Sequence, residues 1–182
     1  AGTLPRQGSR GDMREKDMPQ SERHALVLGG GTMGVGIIAM FLGGGWKVDV
    51  VSRSASTRDG LPAATSRAMQ AMGKSDDVSG LATYATLDEA PWSKIDIVVE
   101  TVTEDLALKQ KIFADLERLS RPGVPLTSNS SSFPISEIGK GLASQDRMMG
   151  LHFFMPAHLI PLVEVVRSGH TDVALAEKDG AI

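Results

Sequence analysis

The sequence predicts an α/β domain built on a doubly wound, mostly parallel sheet, and three observations carry that expectation. Short β-type apolar runs alternate with stretches of helical spacing along most of the chain. The first run, His24–Leu28, ends in the glycine turn Gly29-Gly-Gly-Thr-Met-Gly34, which leads into an apolar stretch over 35–42 and a second run over 46–51. Residues 95–99 (Ile-Asp-Ile-Val-Val) form the near-continuous apolar run that a parallel strand needs when helices cover both its faces.

Composition bounds the alternatives. With 182 residues, 41% of them hydrophobic and 23% charged, the chain can bury one sizeable core, so one domain is expected. Glycine accounts for 20 residues with no collagen-like period, above the usual ~7%, so particular backbone positions require it. The balance of 19 Lys and Arg against 22 Asp and Glu gives a net charge of −3, which offers no broad footprint for nucleic acid or an anionic membrane. Cysteine is absent, which excludes disulfides, thiol nucleophiles and thiolate metal sites; no His or carboxylate cluster has ligand spacing, so no metal is expected. No apolar stretch is long enough to span a bilayer and no targeting signal is legible, so a soluble, cytoplasmic protein is expected.

In chain order, residues 1–23 are dense in Gly, Pro, Arg, Asp and Glu and read as a disordered leader, native or partly artificial, so the domain occupies 24–182. The turn after Leu28 opens a buried helix over 35–42. Pro62 suits a first helical turn and predicts a helix over 62–72, followed by a polar loop over 73–80. Residues 104–119 place Leu108, Ile112, Phe113 and Leu116 at helical spacing, with Gly123 closing the helix. Further strands are expected at 125–128, 148–154 and 162–166, and the sequence has no internal repeat.

Gly29-x-Gly31-x-x-Gly34 between a strand and a helix is the arrangement of a dinucleotide site, and with it the fold is of the Rossmann type. The first glycine permits the tight turn, the second lets a pyrophosphate approach the backbone, and the third lets the helix pack closely. The N–H groups around Thr32, Met33 and Gly34 then meet the phosphates. An NAD-selective site carries an acid at the end of the second strand, whereas this chain has Ser52-Arg53, a hydroxyl and a guanidinium suited to a 2′-phosphate. The cofactor is therefore NAD or NADP, with NADP favoured; the other reading of Arg53 is a solvated loop cation. Asp49 lies in mid-strand and Asp59 well past the strand end, so neither is placed to act as that acid.

Five ordered segments carry a family resemblance: residues 29–37, Val98-Val-Glu-Thr-Val-Thr-Glu104, Ser128-Asn-Ser-Ser-Ser132, Gly150-Leu-His-Phe-Phe-Met-Pro156 and Leu162-Val-Glu-Val-Val166. Together they resemble the L-3-hydroxyacyl-CoA dehydrogenase family over roughly 25–171. The resemblance implies that His152 is the catalytic base and that Glu164 pairs with it in a relay-free dyad, fixing the tautomer and stabilising the imidazolium. Glu164 is notable in its own right, since flanking Leu162, Val163, Val165 and Val166 make it an acid expected to be costly to bury without a partner. The resemblance also implies that Ser131 hydrogen-bonds the substrate oxygen, although Ser130 or Ser132 could face the site and such a run is also ordinary turn chemistry. It places Glu104 and Lys109 near the nicotinamide ribose and the substrate; on a helix face both otherwise read as solvated charge.

The chain departs from the family pattern in three ways. Met155 stands where the family has the asparagine of His-Phe-Phe-Asn-Pro, and the 53–81 segment is shorter than the helical hairpin that contacts coenzyme A. No residues after Ile182 build the second, helical domain, which supplies another catalytic asparagine, much of the acyl pocket and the homodimer interface, so the chain reads as a fragment of a longer enzyme with little turnover of its own. The expected partner is an acyl-CoA or related small molecule; the alternatives are a dehydrogenase of a free hydroxy acid or carnitine-like substrate, and a non-catalytic nucleotide-binding module.

Overall fold

The computed structural model describes residues 22–179. All of the expected leader except Glu22 and Arg23 lies outside them. Those two residues are tied to the second strand's start: the Arg23 carbonyl accepts the Lys47 N–H at 2.9 Å and its guanidinium lies 4.3 Å from the Trp46 ring centre.

The elements run β1 (His24–Leu28), α1 (Thr32–Gly43), β2 (Lys47–Val51), α2 (Ala55–Ala71), β3 (Leu81–Tyr84), β4 (Ile95–Glu100), α3 (Leu106–Leu119), β5 (Leu126–Ser128), α4 (Ile135–Ile138), β6 (Met148–Phe153), β7 (Val163–Arg167) and α5 (Val173–Asp179). They form one seven-stranded sheet in the order β3-β2-β1-β4-β5-β6-β7. The first six strands are parallel and β7 runs antiparallel beside β6. The order reverses between β1 and β4, where the crevice of a doubly wound sheet opens at the strand C-termini.

The apolar strand runs follow from burial on both faces. Ala25, Val27, Val48 and Val50 pack with Ile37, Ile38 and Phe41 of α1, while Leu26, Leu28, Val98 and Leu126 pack on the opposite face with Phe113 and Leu116 of α3. The one acid in mid-β2, Asp49, is buried and takes the Tyr84 hydroxyl at 2.9 Å and His24 Nδ1 at 3.0 Å. Burial and then the Asp49 carboxylate push the Tyr84 hydroxyl up to about 12.

Several boundaries differ from expectation for local reasons. The first helix begins at Thr32, since helical geometry is already established within the glycine turn. The α2 helix starts at Ala55, capped by Ser54 Oγ accepting the Thr57 N–H at 3.2 Å, so Pro62 lies inside it rather than opening it. The sequence reading missed β3, a four-residue edge strand without an apolar run, and α4, a single turn after Pro134. Asp105 caps α3 by accepting the Leu108 N–H at 2.9 Å, which leaves Glu104 outside the helix. At its other end α3 stops at Leu119, and Gly123, with φ +80°, belongs to the turn entering β5.

Candidate active site

Each glycine of the β1–α1 turn has a separate task. Gly29 adopts φ +103°, open to glycine at no steric cost, and a Cβ there would meet Thr101 Oγ1 at 2.8 Å. A Cβ on Gly34 would sit 2.2 Å from the Gly29 carbonyl oxygen, so only glycine lets α1 begin this close to β1. At Gly31 an added Cβ would meet nothing within 4 Å; its open side faces the crevice. The first α1 hydrogen bond runs from the Val35 N–H to the Gly31 carbonyl at 2.9 Å, leaving the N–H groups of Thr32, Met33 and Gly34 without helical acceptors. An uncapped helix start beside a strand crossover fits a pyrophosphate, so the residues present suit a dinucleotide.

Two hollows meet at Gly31, sharing it with Thr101, Val102 and Thr103. The larger, about 640 Å³, runs from Gly29 to Ser52, Arg53, Ser54 and Thr57 along the end of β2. Arg53 is exposed on its rim, and the Ser52 carbonyl accepts Arg58 Nη1 at 2.5 Å. Asp49 is engaged with His24 and Tyr84, and no acid follows β2 at positions 52–54.

The second hollow, about 540 Å³, is lined by Thr32, Met33, Glu104, Lys109, Asn129, Ser131, His152 and Met155. His152 and Glu164 are register partners across β6 and β7, which brings His152 Nδ1 to 3.3 Å from Glu164 Oε2 and leaves Nε2 without a protein partner among the described residues. The Phe154 ring meets the imidazole edge-on with centroids 4.9 Å apart. Glu164 is exposed, with 57% of its side chain open, which corrects the expectation of a buried acid. The reason is that β7 is an edge strand: Val163 and Val165 pack on the core while Glu164 points to the open side.

The serine run is sorted by its hydrogen bonds. Ser130 Oγ donates to Glu104 Oε2 at 2.8 Å and accepts the Phe133 N–H, while Ser131, which lines the hollow, donates its N–H to Glu104 Oε1 at 3.2 Å and its hydroxyl has no protein partner among the described residues. Asn129 Oδ1 accepts the Phe153 N–H at 2.9 Å, tying this loop to the His152 strand. Lys109, which the resemblance places near the nicotinamide ribose, is not the solvated charge of the alternative reading: it is 1% exposed, and its Nζ lies 2.8 and 2.9 Å from the two Glu100 oxygens, 3.3 Å from the Val102 carbonyl and 3.6 Å from Glu104. Sequence reasoning missed Glu100, fully buried at the end of β4, although its signal was present as an acid inside an apolar strand. Asn129 and Thr101 were missed too, because polar residues after a strand look like turn chemistry. Among the described residues no group of His and carboxylate side chains could hold a metal ion, and no helix is long and apolar enough to cross a membrane.

A strand–glycine turn–helix at the sheet's reversal point, opening on two joined hollows, defines a dinucleotide-binding domain. Residues 24–180 match the family model described as 3-hydroxyacyl-CoA dehydrogenase, NAD binding domain. The chain belongs to that family. It is 34% identical over 161 residues to the glyoxysomal fatty acid beta-oxidation multifunctional protein MFP-a of Brassica napus, covering 85% of this chain and 22% of that protein. It also superposes on the crystal structure of M. tuberculosis FadB2 with a TM-score of 0.79 at 30% identity, covering 88% of this chain and 59% of the other. The 3-hydroxybutyryl-CoA dehydrogenase of Escherichia coli K12 gives a TM-score of 0.76 at 30% identity, with 87% and 35% covered. The chain thus spans about a fifth of the length of the curated relatives it matches.

Proposed function

We propose that this chain is the cofactor-binding part of a dehydrogenase that interconverts 3-hydroxyacyl-CoA and 3-oxoacyl-CoA, with His152 as general base. The observation that carries the reading is the His152–Glu164 register pair, opening on the same hollow as Ser131 and the Gly31 turn. When bound, a nicotinamide cofactor supplies the hydride acceptor or donor for C3 of the acyl chain. Glu164 at Nδ1 keeps the ring proton there, so Nε2 is the lone pair that takes the proton from a 3-hydroxyl; the carboxylate then stabilises the imidazolium. The Ser131 hydroxyl is free to hold the same substrate oxygen beside His152.

Gly31, with the free N–H groups of Thr32, Met33 and Gly34, would hold the pyrophosphate, and Glu104, with Lys109 buried behind it, would meet the nicotinamide side. Ser52 and Arg53, with no acid beside them, support a preference for NADP(H) over NAD(H). Met155, 64% exposed in the hollow, offers no amide hydrogen bond and favours a second reading, a related substrate without coenzyme A.

The test is turnover by a longer form of the protein that contains this chain. His152→Ala should lower kcat by about 10² or more with a 3-hydroxyacyl-CoA, as removal of a general base does. Unchanged turnover would remove His152 from the chemistry, and activity confined to a substrate lacking coenzyme A would favour the second reading.

A further inference from the structure

The most heavily bonded side chain beside the cleft is one that no step above uses. Glu100 ends β4 with no exposed surface, yet its two oxygens accept four hydrogen bonds from three donors. Oε1 accepts the Val102 N–H at 2.6 Å and Lys109 Nζ at 2.8 Å; Oε2 accepts Ser128 Oγ at 2.7 Å and Lys109 Nζ at 2.9 Å. These donors come from three different places: the crossover loop after β4, the α3 helix and the end of β5.

Each donor leads to the cleft. Val102 lines both hollows, and Lys109 lines the second hollow with its Nζ 3.6 Å from Glu104. Ser128 Oγ in turn accepts the Ser130 N–H at 3.1 Å, while Ser130 Oγ and the Ser131 N–H are held by Glu104. The network is a closed loop from Glu100 through Ser128, Ser130, Glu104 and Lys109 back to Glu100, and Ser131 projects from it into the hollow. A buried ammonium and a buried carboxylate are tolerable only as a pair with their remaining hydrogen-bonding capacity filled, and both conditions are met here.

We propose that Glu100 is the positioning residue for the nicotinamide half of the cleft: it touches no ligand itself but, paired with the buried Lys109 ammonium, fixes Glu104 and the Ser130–Ser131 turn that face the hollow. The proposal rests on the cofactor reading above. Because Glu100 bonds to no residue of the glycine turn or of the Ser52–Arg53 end of β2, its effect should be confined to one end of a dinucleotide. A merely structural acid would weaken both ends or neither.

The test is calorimetric titration of wild-type chain and Glu100→Gln with two probes: the tighter binding of NADH and NADPH, and ADP, which reaches only the glycine turn and the β2 end. Glutamine keeps the shape but loses the charge and one acceptor. The expected result is about tenfold weaker dinucleotide binding, the size of losing a hydrogen bond to a charged group, with ADP affinity changed less than twofold. Ser128→Ala, which keeps the Glu100–Lys109 pair, should give a smaller loss of the same kind and serves if Glu100→Gln does not fold. Equal weakening of both probes, or dinucleotide binding unchanged in both variants, overturns the proposal. Failure of the wild-type chain to bind either dinucleotide overturns the cofactor reading on which it rests.

Discussion

Gly31→Ala separates what the turn does for the fold from what it does for a ligand. Gly31 has φ −75° and ψ −169°, extended backbone that alanine adopts without strain, and the added methyl would meet no protein atom within 4 Å. Restricting the unfolded chain contributes about 0.4–1 kcal/mol of stability. Replacing glycine at a helix N-cap by alanine works against it by a similar amount, of order 0.5–1 kcal/mol. The two nearly cancel, and since 1 kcal/mol moves Tm by roughly 2–4 °C in a domain of this size, Tm should stay within about 3 °C of wild type. The methyl does stand where a pyrophosphate would approach the free N–H groups of Thr32 and Met33. Dinucleotide affinity should fall at least about tenfold, or ~1.4 kcal/mol. Circular dichroism melting and calorimetric titration with NADPH and NADH read the two quantities separately. A folded variant that binds as tightly as wild type would refute the assignment of this face to the phosphates.

Other substitutions probe other parts of the account. Gly34→Ala puts a Cβ 2.2 Å from the Gly29 carbonyl oxygen, backbone that cannot swing aside, so it should cost about 1–3 kcal/mol and lower the melting temperature. Arg53→Ala should weaken NADPH binding and leave NADH binding nearly unchanged, read as the ratio of the two affinities. Tyr84, the only tyrosine, is pushed up to about 12 from an ordinary 10.0. The unfolded chain ionises first, so the stability tied to its neutral form is intact below pH 10 and is lost as pH rises to about 12. Tyr84→Phe should flatten that alkaline loss in urea melts, and phenolate absorbance follows the titration directly.

Much of the fold was legible because its signals are local. The β1 run alternates Ala25 and Val27 with Leu26 and Leu28, and both sets are apolar because each faces a helix layer. The glycine turn is equally legible, since close backbone approach leaves a residue-type signature. Edge strand β3 and the true start of α2 were not, because four ordinary residues and a Ser54 cap resemble loop chemistry. At the site, both Glu164 and Glu100 stand among apolar neighbours in sequence, but only Glu100 is buried. Sequence alone does not distinguish an edge strand with one open face from a central strand with none: β7 leaves Glu164 in solvent, while β4 seals Glu100 against Lys109. The burial of Lys109 was not legible for the converse reason, that helix-borne lysines are usually solvated.

The central claim is that the Gly31 turn and the two hollows beside it form a nicotinamide dinucleotide site, and calorimetric titration of this chain with NADPH and NADH in separate experiments tests it most directly. The account predicts one-to-one binding, with NADPH the tighter of the two. Binding of neither dinucleotide by the folded chain would contradict it.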